Sequence, residues 1–159
     1  EGRRVDRAKR SIYLSAARSF LFNQVLAWRV EQGTWNNPLP GEVWMLEGTK
    51  SIFGPEELTD DISARCAAKD IHPTGPMWGA GTLRTRAAVQ TLEPRLPIES
   101  PELCRGLEKA ELHQERRALR LIPKNLQWRF ETDDVLELRF ELPPGAYATS
   151  ILAELGEFA

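Results

Sequence analysis

The chain has 159 residues, enough for one domain or a domain and a half. Its 42% apolar content supports a real core, and no apolar run approaches the ~20 residues that cross a bilayer, so no membrane partner is expected. Net charge is 21 − 23 = −2, which argues against a uniformly basic nucleic-acid binder.

The charge is unevenly spread. Arg3, Arg4, Arg7, Lys9 and Arg10 crowd the first ten residues, and Arg116, Arg117, Arg120 and Lys124 form a second cluster. Acids gather in 56–61 and 131–141. A charge cluster is usually a solvated face, and two separate basic clusters in an acidic chain raise the phosphate-binding reading modestly. The charged N-terminus has no apolar core of a signal peptide, so a cytoplasmic protein is expected. The chain opens on Glu1-Gly2-Arg3-Arg4 without an initiator methionine, and a fragment of a longer protein is expected. Cys66, Cys104, His72 and His113 form no C-x-x-C or H-x-x-x-H pair, so two free buried thiols are expected and no metal.

In chain order, residues 14–31 carry the clearest helical pattern, with Leu14, Leu21, Val25 and Trp28 on one stripe. Arg18 and Arg29 fall inside that stripe. They are either structural arginines bonded to carbonyls or to acids such as Glu42, or a floor of guanidinium groups under a phosphate or base. Gly33 ends the helix, and 43–46 and 51–53 read as short strands. Pro55 opens a helix over about 55–69, and the proline- and glycine-rich stretch 70–81 reads as an ordered loop. Thr85 is expected to cap a helix to Leu92, and Ser100-Pro101 to start another that reaches Ala110. Residues 118–122 are strand-like.

Leu126, Trp128 and Phe130 alternate with polar residues, as do Leu136, Leu138, Phe140 and Leu142, which predicts a hairpin with one apolar face. A domain boundary is expected near 113/114. Pro143, Pro144 and Gly145 then break the second strand. Thr149 or Ser150 is placed to cap a short last helix. This leaves Tyr147 and Thr149 at a strand end, either as a packed connection or as part of a ligand site.

The segment Leu142-Pro-Pro-Gly-Ala-Tyr-Ala-Thr-Ser-Ile-Leu-Ala-Glu resembles the C-terminal signature of the TruD family of tRNA pseudouridine synthases, although Ala153 stands where the family usually has Arg. Residues 11–29, with Arg18, Asn23 and Arg29, resemble the family's R-S-x-L-F-N-x-x-L-A-x-R helix. Residues 70–79 resemble its H-P-T-G-P-L-W-G loop, and residues 107–121 its basic re-entry segment with Arg116 and Arg117.

The resemblance implies an α+β fold. Residues 1–113 would be most of an inserted TRUD domain of α/β type, and 114–159 the closing strands and helix of the pseudouridine synthase catalytic domain. It implies isomerisation of a D-arm uridine, position 13 of tRNA, without metal or cofactor. It also implies that Arg18, Asn23, Arg29, Arg116 and Arg117 bind RNA and that Gly145, Tyr147 and Thr149 line the substrate pocket. The family's G-x-K-D aspartate motif is absent, so no catalytic residue is assigned; Asp70, after Ala68-Lys69, is read as ending a helix. The partners expected are tRNA and the N-terminal remainder of the catalytic domain, in a monomer. Two other readings are a stand-alone, non-catalytic RNA-binding module and a protein-interaction domain using exposed Trp35 and Trp78 loops.

Overall fold

Two prolines and a glycine do not keep residues 71–77 out of a sheet. In the computed structural model, which describes residues 6–156, Ile71–Met77 is a fully buried strand at the centre of the larger sheet, not a loop. Numbering strands β1 (Trp44–Leu46), β2 (Ile52–Phe53), β3 (Ile71–Met77) and β4 (Glu115–Ala118), the sheet order is β2-β1-β3-β4, all antiparallel. The β1 ladder covers Ile71 to Pro73 and the β4 ladder Thr74 to Met77. Each proline therefore has a register partner on one side only, which is how a residue without an N–H is tolerated there.

Helix α1 (Arg7–Glu31) starts seven residues before the apolar stripe that signals it, following Asp6. Its Leu21 and Val25 pack with Trp78, Leu92, Leu96, Cys104 and Leu107. The last four come from α3 (Ala87–Leu92), α4 (Arg95–Glu99) and α5 (Pro101–Lys109). A second cluster, Trp44, Ile62, Cys66 and Ile71, lies under α2 (Asp60–Ala67). Phe22, Met77 and Leu119 make a third.

Several boundaries differ from expectation. Helix α2 starts at Asp60, because Thr59 caps it by accepting from the Ile62 N–H and two aspartates follow in the first turn. Pro55 lies in the preceding loop. Thr85 caps nothing; its hydroxyl donates to Glu93 inside the protein, and α3 starts two residues later. Ser100 and Pro101 do occupy the N-cap and first positions of α5, but the serine hydroxyl donates to Gln24 instead of capping. Strand β4 lies at 115–118 and not 118–122, in register with 74–77.

The chain divides into two compact units, the first ending at Arg120 and the second beginning at Leu121. The pairing of β4 with β3 holds residues 115–118 in the first unit. The second unit is a hairpin, β5 (Lys124–Thr132) and β6 (Val135–Glu141), followed by α6 (Ala148–Leu152). Trp128 faces Leu138 and Phe130 faces Leu136 across it, with Arg129 opposite Glu137 on the other face. Helices and mostly antiparallel strands in separate runs make this an α+β fold. No helix among the described residues is long and apolar enough to cross a membrane.

Candidate nucleic-acid interface

The arginines of the helical stripe and of β4 separate into two kinds. Arg29 is 1% exposed and its Nη2 donates to Glu42 Oε1 at 2.5 Å and to the Thr34 carbonyl at 2.6 Å. Burial pushes the Glu42 carboxyl up from its ordinary value, and the neighbouring Arg29 pulls against that. A guanidinium so enclosed closes the turn after α1 and has no donor facing solvent.

Arg18 is similar. Its Nη2 donates to the carbonyls of Met77 at 2.8 Å and His113 at 3.0 Å, and lies 3.1 Å from the Glu115 carboxylate. It ties α1 to the far end of β3. Arg116 forks onto Glu93 at 2.7 and 2.9 Å and also donates to the hydroxyl and carbonyl of Thr74. Both members of that pair are nearly inaccessible, 4% and 0%. The fork supplies a partner for the Thr74 carbonyl, past the end of the β1 ladder.

Arg117, the next residue, points the other way because successive strand side chains alternate. It is exposed, and its guanidinium sits 5.3 Å from the centre of the Phe22 ring. Among the described residues it has no acid or carbonyl partner. Stacking on an aromatic face holds the cation while its N–H donors stay available. Asn23, next to Phe22 in α1, is exposed and its carboxamide has no hydrogen bond among the described residues. Arg117 thus rests over the ring of Phe22, the residue that precedes exposed Asn23 in α1.

A further arginine was marked in the sequence only as one of a basic cluster. Arg120 donates from Nε to His72 Nδ1 at 2.7 Å, from Nη1 to Asn36, and from Nη2 to the carbonyls of Cys66 and Ile71. An arginine nitrogen only donates, so Nδ1 accepts and His72 carries its proton on Nε2, which donates to Glu47 at 2.6 Å. This network anchors the last residue of the first unit. Its partners are 48 to 84 positions distant, with no local pattern to announce them.

In the second unit Gly145 has φ +87°, a left-handed conformation that favours glycine. Tyr147 follows at 73% exposure, as the N-cap residue of α6. Thr149 and Ser150 lie inside that helix, so neither caps it, because the helix begins one residue before Thr149. Thr149 is exposed. These three pocket candidates stand together, in a different unit from the five RNA-binding candidates.

Trp78 is buried, with its indole N–H donated to Glu108, which removes it from any exposed interaction loop; Trp35 is 37% exposed. Asp70 follows α2 and holds Arg65 at 2.7 Å. Both cysteines are free and buried, and burial pushes the Cys104 thiol up to about 11. Among the described residues no group of three His, Cys, Asp or Glu could hold a metal ion.

The model of the family described as tRNA pseudouridine synthase D (TruD) matches residues 3–155. A tRNA pseudouridine synthase D of Xanthomonas campestris pv. campestris is 52% identical over 158 residues, covering 98% of this chain and 43% of that protein. Its counterpart from Methylococcus capsulatus is 45% identical over 156 residues, covering 98% and 44%. The chain thus spans under half the length of these relatives. A crystal structure from Methanosarcina mazei, named for the same family, superposes with a TM-score of 0.64 at 20% identity, over 86% of this chain and 36% of that one. That likeness concerns the fold, and agrees with the α+β arrangement described above. With a match over almost its whole length and relatives about half identical to it, the chain belongs to the TruD family of tRNA pseudouridine synthases.

Proposed function

We propose that this chain is the tRNA-holding and pocket-lining part of a tRNA pseudouridine synthase that converts a D-arm uridine, position 13, to pseudouridine. The observation that carries the reading is the 52% identity over 158 residues to a tRNA pseudouridine synthase D. The catalytic aspartate belongs to a part of the protein outside this chain, since no G-x-K-D motif occurs here. That part would also complete the catalytic domain to which residues 114–159 contribute, following the inserted domain of 1–113. The complete protein works as a cytoplasmic monomer.

The geometry refines the roles. A uridine must leave its stack before it can be isomerised, which calls for phosphate contacts and an aromatic wall. Arg117 and Asn23 are available for the first, and Tyr147 beside Gly145 and Thr149 for the second. Arg29 and Arg116 are enclosed by partners inside the first unit, and Arg18 Nη2 donates to two carbonyls there, so these three serve RNA by holding the frame of that unit. The open apolar face of the hairpin supports the need for a covering part: Trp128 is 66% and Phe130 63% exposed, and a two-stranded unit alone is marginal.

The test is position-resolved detection of pseudouridine in unmodified tRNA treated with the complete protein. Pseudouridine at the D-arm uridine is expected. Modification confined to another arm, or binding without modification, would overturn the assignment, the latter in favour of a non-catalytic RNA-binding module.

A further inference from the structure

Helix α1 carries no acidic residue from Arg7 to Val30. Ser15, Ser19 and Asn23 recur every four residues along it, so they form one ridge with steps of about 6 Å. Phe22 lies one turn from Ser19 on the neighbouring side, and the Arg117 guanidinium rests over its ring. Ser15 and Asn23 are exposed and Ser19 is half-buried. None of the three side chains has a hydrogen-bond partner among the described residues. Glu115, two residues before Arg117 on the same side of β4, is paired with Arg18.

We propose that Ser15, Ser19 and Asn23, with Arg117 stacked on Phe22 beside them, form one binding surface for a single RNA strand, the cation taking a phosphate and the ridge reading ribose 2′-hydroxyls. Hydroxyls and a carboxamide both donate and accept, which suits a 2′-hydroxyl; a guanidinium only donates, which suits a phosphate. Contacts of this kind position an RNA strand and distinguish it from DNA without reading its bases. Helix α1 adds no carboxylate to this flank before Glu31, and the charge of Glu115 on β4 is offset by Arg18, which limits repulsion of the backbone. The inference rests on the reading of tRNA as substrate and adds Ser15 and Ser19 to the surface that holds it.

The experiment measures binding of tRNA to the complete protein across a salt series, with intact tRNA and with tRNA carrying 2′-deoxyribose through the D-arm. Arg117→Ala should lower the salt slope by about one unit. Ser19→Ala and Asn23→Ala should leave the slope alone, weaken intact tRNA by about threefold to tenfold each, and lose much less against the deoxy-substituted tRNA. Ser15→Ala, at the fully exposed end, reports the same effect without any risk to packing. Equal losses against both RNAs, or no loss in melting-controlled variants, would overturn the proposal. A complete protein that forms no pseudouridine yet shows these differences would contradict the enzymatic reading and uphold the surface.

Discussion

At the scale of single residues, the decisive difference is between Arg29 and Arg116, whose guanidinium groups are enclosed by buried acids, and Arg117, which is exposed and stacked on Phe22. Arg29 and Glu42 are a fully buried pair, and removing one member strands the other's charge. Arg29→Ala should therefore cost ~3–5 kcal/mol of stability while leaving the salt slope of tRNA binding unchanged. Urea unfolding and a salt titration on the same variant check both halves. Glu42 also predicts a pH effect. Its folded value lies above the ordinary 4.5, so the stability it contributes is fully present below that value and is lost as pH rises through the folded one. Glu42→Gln should lack that component. Tyr147 behaves differently, because its ring is mostly exposed in this chain. Tyr147→Ala should barely move the melting temperature of the isolated chain, yet reduce single-turnover rate in the complete enzyme roughly tenfold to a hundredfold. Tyr147→Phe should keep most activity, since the ring supplies the wall. A Tyr147→Ala enzyme turning over at the original rate would remove it from the pocket.

At the scale of elements, the hairpin makes the sharpest prediction. Its apolar face is uncovered in this chain, so Trp128→Ala should cost about 0.5 kcal/mol or less here. In the complete protein, with that face covered, the same change should cost ~3–5 kcal/mol. Equal small costs in both would mean the face stays open. This hairpin was legible in the sequence because period-two alternation over Leu126–Phe130 and Leu136–Leu142 has no helical counterpart. Strand β3 was not legible, because prolines and glycines are ordinarily signs of a turn and only the staggered ladders of β1 and β4 make room for them. The first two turns of α1 were missed because they carry exposed residues such as Ile12 and Tyr13 with no buried stripe. The Arg29–Glu42 pair was open to sequence reasoning as an alternative, whereas the Glu93 partner of Arg116 required the folded sheet. Strand alternation alone sends Arg116 and Arg117 to opposite faces, a signal present in the sequence.

At the scale of the whole molecule, the chain is two compact units that share the work unequally. The first is a frame in which Arg29 and Arg116 are paired with buried acids and whose outer flank presents Asn23 and Arg117. The second is an amphipathic hairpin and short helix that presents Tyr147 and Thr149 but encloses little. Such a division fits a chain spanning 43% of the length of the Xanthomonas campestris relative. The most direct measurement is tritium release from uridine-labelled tRNA, run side by side with the complete protein and with this 159-residue chain. The account predicts release by the complete protein and none by the chain alone. Release by the isolated chain would contradict it, because one of its own carboxylates would then have to be the nucleophile.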